Sequence, residues 1–159
     1  MKKIILTLVV YTIALNLFSQ TYKLESVYPD RNAETYLSYM KVIDDSVNSE
    51  ANNFVLWGYQ FYNESWLYAY EVEYFKGEAK DLFIFLTEII EFTKKYKNED
   101  SVLTFIKGVK VKTLNKMGFK YTLVYDKEFK VMCKFNQNQW EEMLEKFKLV
   151  CENKGILYK

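Results

Sequence analysis

The sequence predicts an α+β protein in which an antiparallel sheet of five to six strands is packed by helices. Several short runs alternate apolar and polar residues, as strands with one solvated face do. Three longer stretches repeat apolar residues at the spacing of one helix face. The resulting order is helix, two strands, helix, three or four strands and helix. This order favours a single α+β domain over residues 20–159.

Residues 1–19 are expected to be a secretory signal peptide. Met1-Lys2-Lys3 is a short positive start, Ile4 to Leu17 is mainly apolar, and the small Ser19 precedes polar Gln20. The apolar run would span about 21 Å as a helix, which is short of the ~30 Å hydrocarbon core of a bilayer. The leader resembles those of exported bacterial proteins. We therefore expect a periplasmic or extracellular protein without a membrane anchor after cleavage.

Composition excludes several functional classes. The chain has no histidine, so catalytic pairs, triads and zinc sites built on imidazole are excluded. Cleavage after Ser19 removes Lys2 and Lys3 from 22 basic residues and leaves all 21 acidic ones, so the mature chain is nearly neutral. A nearly neutral chain lacks the basic surface that attracts the phosphates of nucleic acids. The same argument weighs against binding to a membrane surface.

The N-terminal segment, residues 20–53, is predicted to be mainly helical. Residues 22–28 fit a short edge strand that ends at the turn signal Pro29-Asp30. Beyond this turn, a stripe of apolar residues at helical spacing predicts a helix over 32–48. The stripe consists of Ala33, Tyr36, Leu37, Met40, Ile43 and Val47. A polar loop over 48–53 follows.

The sheet core, residues 54–159, is predicted to begin with an aromatic hairpin. The runs 54–62 and 66–75 flank Asn63-Glu64-Ser65, which fits two antiparallel strands and a three-residue loop. Alternation places two aromatic sets on strand faces: Val55, Trp57, Tyr59 and Phe61, and then Trp66, Tyr68, Tyr70, Val72 and Tyr74. Glu71, Glu73 and Phe75 fall on the opposite face of the second strand.

A helix over 78–97 follows, with acids near its start and lysines at its end, as the helix dipole favours. The runs 102–113, 119–126 and 129–135 then read as a meander, with Gly108 marking a bulge or a break. Its inward residues are predicted to be Phe119, Tyr121, Leu123, Tyr125, Phe129, Val131, Cys133 and Phe135. Its outward residues include Lys110, Lys112, Lys120, Lys130 and Lys134. The last helix is predicted over 137–153, with Gly155 as its cap.

This element order has two topological parallels. The hairpin, helix, meander and C-terminal helix are similar to the Mog1/PsbP-like arrangement, and the part from Trp66 is also like the TATA-binding-protein-like fold. No sequence motif accompanies either resemblance. Fold analogy of this kind implies no function.

The aromatic hairpin is the candidate binding site. Trp57, Tyr59, Trp66 and Tyr68 could form a stacking platform for a small ligand or glycan, because tryptophan and tyrosine combine broad faces with a polar edge. Packing in the core is the default alternative. The hairpin nevertheless carries aromatic residues on both faces, which is more than one core face can take.

Two other residue pairs carry reactive side chains: two glutamates on one strand and two cysteines. Glu71 and Glu73 lie about 7 Å apart on one strand face, a spacing compatible with glycosidase carboxylates, although a solvated strand face explains them better. Cys133 and Cys151 would be offset by about 13 Å if the last helix doubles back, beyond the ~7 Å limit for a bridge. Free buried thiols are therefore favoured, while a disulfide stays open for an exported protein.

We expect an exported, non-enzymatic envelope protein that acts as an interaction or ligand-binding module. Its expected partner is a protein, a small ligand or a glycan, and not a nucleic acid. No catalytic residue, metal site or cofactor is predicted, since the sequence has no phosphate loop, dinucleotide fingerprint, zinc spacing or nucleophile elbow. The alternative is an enzyme that uses carboxylates and tyrosines on carbohydrate.

We predict that the exported protein begins at Gln20, because cleavage is expected directly after Ser19. Intact-mass measurement of the product in the soluble envelope fraction checks this. A membrane-bound form that retains Met1 to Ser19 would contradict both the cleavage site and the predicted compartment.

Overall fold

The described part of the chain forms two antiparallel sheets of four strands each, in place of the single predicted sheet. The computed structural model describes residues 21–29, 35–44, 49–61, 69–130 and 132–159. Within these ranges, sheet 1 consists of β1 (Thr21–Tyr28), β2 (Thr35–Asp44), β3 (Ser49–Phe61) and β4 (Ala69–Glu78). Sheet 2 consists of β5 (Leu103–Ile106), β6 (Val109–Lys116), β7 (Phe119–Tyr125) and β8 (Met132–Phe135). Helix α1 (Ala79–Lys95) follows β4, and helix α2 (Gln137–Lys154) follows β8.

Each sheet is a meander in which consecutive strands are hydrogen-bonded neighbours. The described chain therefore passes twice through four strands and then a helix. The α+β class is confirmed. The prediction of one sheet with five to six strands is wrong, and the Mog1/PsbP-like and TATA-binding-protein-like arrangements do not fully match this order.

The helix predicted over 32–48 is wrong where the structure describes it. Residues 35–44 form β2, which pairs antiparallel with β1 on one side and with β3 on the other. Leu37 lies opposite Leu56, and Tyr39 lies opposite Phe54. The pairing with two neighbouring strands decides the outcome, because strand preference reflects cross-strand packing more than local propensity. Residues 32–34 and 45–48 of this segment lie outside the described residues. The polar loop predicted over 48–53 is wrong where the structure describes it, because residues 49–53 belong to β3.

The other helices and most strands are confirmed. The edge strand predicted over 22–28 is β1, and Gly108 separates β5 from β6 with a φ of 79° that favours glycine. Helix α2 begins with a capping box: the Asn136 side chain accepts from the Gln139 N–H at 3.0 Å, and the Gln139 side chain accepts from the Asn136 N–H at 2.9 Å. The predicted hairpin loop, residues 63–65, lies outside the described residues.

The core lies between the helices and one face of each sheet, called here the inner face. Phe54 of sheet 1 packs edge-on against Phe147 of α2, with ring centroids 4.9 Å apart. Phe135 of sheet 2 packs against Trp140 of the same helix at 4.8 Å. Phe54, Phe147 and Trp140 are fully buried. Buried residues from both sheets and both helices form one hydrophobic cluster, so the helices form a layer that the two sheets share.

A polar contact crosses this core between α1 and sheet 2. The buried Thr93 hydroxyl donates to the Ile89 carbonyl at 2.7 Å, and its oxygen lies 2.6 Å from the hydroxyl oxygen of buried Thr122. Because the single hydroxyl hydrogen of Thr93 is already used, Thr122 donates to Thr93. This bond satisfies the Thr122 hydroxyl, which would otherwise be buried without a partner.

The predicted inward face of β7 is wrong. Thr122 and Val124 are buried on the inner face, whereas Phe119 is 64% exposed. Leu123 pairs with Lys112 and Lys134, so these three residues share one face. Tyr121 and Tyr125 fall on that same face by strand alternation. The β7 residues predicted to point inward therefore lie on the outer face with Lys112 and Lys134, although Leu123 is buried there.

We predict that Thr93→Val lowers the free energy of unfolding by about 1–3 kcal/mol, because it leaves the buried Thr122 hydroxyl without its acceptor. Thr122→Val keeps the bond from Thr93 to Ile89 and should cost about 1 kcal/mol. The double variant should lose less stability than the two single losses added together. Urea unfolding of the four proteins measures this, and strict additivity would contradict the direct bond between the hydroxyls.

Candidate functional site

The candidate site lies on the side of sheet 1 that faces away from the helices, called here the outer face of sheet 1. Strand register places Tyr36, Trp57 and Glu73 in one row across β2, β3 and β4. The next row holds Tyr59 opposite Glu71. A bulge at Tyr74 in β4 turns both Tyr74 and Phe75 into the core, so Glu71 and Glu73 keep the outward direction.

Three aromatic rings form a cluster on this face. Trp57 stacks on Tyr36 with ring centroids 5.2 Å apart and an interplanar angle of 26°. Tyr59 meets Trp57 edge-on at 5.0 Å and Tyr36 edge-on at 6.4 Å. The indole Nε1 of Trp57 donates to the Ser38 hydroxyl at 2.9 Å, which fixes the orientation of the ring. The cluster is therefore a preorganised aromatic surface.

A groove of about 480 Å³ lies beside the cluster. Met40 and Val55 are buried in it, and Leu24 of β1 lines its side and is exposed. Its other apolar and charged lining residues are Val42, Trp57, Val72, Glu71, Glu73 and Lys76. An apolar lining with a few charged groups is the usual composition of a small-ligand site, and this volume lies within the usual range.

The two carboxylates differ in their contacts. Glu73 accepts from the Lys127 ammonium at 2.9 Å, so this side chain is held by an ion pair to the β7–β8 turn. Glu71 is exposed on the same strand face. Both line the groove, so a ligand there would meet carboxylate acceptors beside an apolar lining.

The aromatic hairpin is only partly within the described residues. Trp57 and Tyr59 share one strand face, as the alternation predicts. Trp66 and Tyr68 lie outside the described residues. Sequence reasoning missed Tyr36, Ser38 and Met40 as site residues, because it assigned them to a helix. The available signal was a second strand-like alternation, with Tyr36, Ser38, Met40 and Val42 on one side and Leu37 and Tyr39 on the other.

A second groove of about 560 Å³ lies where β4 approaches the turns of sheet 2. Two ion pairs lie in this region: Lys127 of the β7–β8 turn binds Glu73 of β4 at 2.9 Å, and Lys107 of the β5–β6 turn binds Asp81 of α1 at 2.7 Å. Because these charges neutralise one another, the groove offers an incoming ligand fewer free charged groups than its sequence suggests.

Both thiols are free and buried, as favoured from the sequence. Burial raises the pKa of the Cys151 thiol to about 11. Burial also raises the pKa of Cys133 far above the ordinary range of a thiol, against the opposing effect of hydrogen bonds with its own backbone and that of Val124. A protonated buried thiol is a poor nucleophile, so neither residue is a catalytic candidate.

The described residues contain no group of three or more cysteine, aspartate or glutamate side chains that could hold a metal ion. None of the helices in the described part of the chain is long and apolar enough to cross a membrane. Comparisons of the chain with protein-family models, curated proteins and solved structures found no match.

We predict that stability falls as the pH rises from about 9 to about 11. The folded state keeps the Cys133 and Cys151 protons in this range, whereas the unfolded chain releases them, so folding loses up to about 1.4 kcal/mol per pH unit for each thiol. Urea unfolding across this pH range should show a shallower decline for the Cys133→Ala/Cys151→Ala variant. Parallel declines for the two proteins would contradict the assignment.

Proposed function

We propose that this is an exported, non-enzymatic envelope protein that binds a ligand at the outer face of sheet 1. The observation that carries the proposal is the aromatic cluster of Tyr36, Trp57 and Tyr59 beside a groove with an apolar lining. The signal peptide supports export, and the binding module operates in the periplasm or outside the cell. No cofactor or metal enters this proposal.

The ligand class follows from the two kinds of group in the groove. An apolar face is needed to cover Trp57, Met40 and Val55, and hydrogen-bond donors are needed to meet Glu71. Oligosaccharides have both, because the C–H face of a sugar ring packs on aromatic side chains while its hydroxyl groups donate to carboxylates. We therefore propose a glycan as the ligand.

We predict that Tyr59→Ala weakens oligosaccharide binding by about tenfold, since the loss of one aromatic contact removes about 1–1.5 kcal/mol. The Tyr59 side chain is exposed, so its truncation to alanine should not unfold the protein. Isothermal titration calorimetry of both proteins with soluble β-glucans, chitooligosaccharides and muropeptides measures the binding affinity.

Tyr121→Ala is the matched control, because Tyr121 lies on the opposite sheet, on the face that also points away from the core. This variant should bind the same oligosaccharides as the unmodified protein. Equal losses in both variants, or tight binding that survives Tyr59→Ala and Trp57→Ala, would overturn the assignment of the groove.

The second candidate function is an enzyme that acts on carbohydrate. It is supported by one observation, which is that Glu71 and Glu73 line the same groove as Trp57. Its general acid or base would be Glu71, because Glu73 is held by Lys127. Turnover of the same panel that is abolished in Glu71→Gln would favour the enzyme. Binding without turnover favours the binding module.

A further inference from the structure

The outer face of sheet 2 differs in chemistry from the outer face of sheet 1. Register and alternation place four lysines on it, namely Lys110, Lys112, Lys116 and Lys134. The other residues of this strand face are apolar or aromatic, and the described strands contribute no acid to it. This face combines positive charge with exposed apolar surface.

The charge is concentrated although the whole chain is nearly neutral. The segment from Leu103 to Phe135 contains eight lysines and only two acids, Asp126 and Glu128. Three of these lysines are paired with acids near the turns: Lys107 with Asp81, Lys127 with Glu73, and Lys130 with Glu128. The four face lysines form no ion pair with an acid in the described part of the chain. Their charge is available to a negatively charged partner.

Several apolar residues of the same face are exposed, although Leu123 is buried there. Phe105 is 57% exposed and Phe119 is 64% exposed, and Leu103 and Met132 are about half exposed. At the β6–β7 turn, Met117 is 89% exposed and has a φ of 53°, a conformation that costs energy for a residue with a side chain. Exposed apolar side chains among lysines mark an interaction surface rather than a solvated one.

Lysines on this face lie over three aromatic rings, which disfavours a ligand that would stack on those rings. The Lys110 ammonium lies 4.7 Å from the ring centroid of Tyr125 and 4.9 Å from that of Phe129. Lys134 lies 5.6 Å from the centroid of Tyr121. These ring faces are already occupied by cations, so a nucleobase or a sugar cannot stack there without displacing them.

We propose that the outer face of sheet 2 is a docking surface for an anionic phospholipid membrane. Lysines near a membrane are attracted by anionic headgroups, and apolar side chains enter the boundary between headgroups and acyl chains. Aliphatic Leu103, Met117 and Met132 suit lipid chains as well as the phenylalanines do, whereas they give no stacking surface to a nucleic acid. The proposal does not depend on the glycan site, which lies on the other sheet.

Co-sedimentation with vesicles tests the proposal. The protein should bind mixed phosphatidylglycerol and phosphatidylcholine vesicles at least tenfold more strongly than pure phosphatidylcholine vesicles, because each lysine near the surface contributes about 1 kcal/mol. Raising the salt from about 0.05 M to about 0.5 M should release it. Equal binding to both kinds of vesicle, or no binding to either, would overturn the proposal.

Two variant pairs locate the surface. Lys116→Glu/Lys134→Glu reverses two exposed charges on the face and should reduce binding at least tenfold. Lys80→Glu/Lys97→Glu reverses two exposed charges elsewhere, since Lys80 lies in α1 and Lys97 directly follows this helix. This pair should retain most of the binding. Equal losses in the two pairs would show that overall charge, and not this face, is responsible.

The apolar contribution is tested separately with side chains that are exposed in the structure. Phe119→Ser should weaken vesicle binding by about tenfold, as expected when an aromatic side chain leaves the interface. Leu157→Ser is the control, because Leu157 is 91% exposed near the C-terminus. Circular dichroism and thermal melting confirm that each variant is folded. Stronger binding to poly-glutamate or to an oligodeoxythymidylate than to the anionic vesicles would assign the face to a different partner and overturn the proposal.

Discussion

Two helices cover one face of each of two sheets, and the surface chemistry of the protein depends on this arrangement. Helix α1 contacts strands of both sheets, α2 contacts β1 and β7, and the helices contact each other. The aromatic contacts of Phe147 with Phe54 and of Trp140 with Phe135 show the same helix serving both sheets. The helices bury the inner faces, so both proposed binding surfaces lie on the outer faces.

The large aromatic content is divided between the core and these outer faces. Phenylalanine and tyrosine residues such as Phe54, Phe85 and Tyr74 are buried between the layers. On the outer faces, ring contacts and cation contacts take the place of burial: Trp57 stacks on Tyr36, whereas Tyr125 lies under Lys110. The two faces therefore offer different surfaces, a ring cluster beside carboxylates on sheet 1 and rings covered by ammonium groups on sheet 2.

Local signals predicted α1, α2 and the break at Gly108, whereas strand identity and strand faces depended on long-range packing. Helix α2 was predictable because its apolar stripe and its terminal Gly155 agree, and the structure adds the Asn136 cap. Strand β2 was not predictable in this way, because its apolar residues fit helical spacing. It forms a strand because it pairs with β1 and β3. The prediction of which β7 residues face the core was wrong because Phe119 is more hydrophobic than Thr122. The sequence does not show that Thr93 gives the buried Thr122 hydroxyl a hydrogen-bond partner. The same dependence hid Tyr36 from the predicted site.

Net charge is a poor guide to function when charges segregate by face. The lysines of β6 and β8 recur at strand alternation and so collect on one side, while many acids lie on the helices and on β4. The pair of Lys127 with Glu73 neutralises charge between the sheets, and the pair of Lys107 with Asp81 does so between sheet 2 and α1. Electrostatic effects in physiological salt decay over about 8 Å, so a partner that approaches sheet 2 responds to its four lysines and not to the distant acids. A chain with almost no net charge can therefore present a cationic face, which the totals of basic and acidic residues conceal.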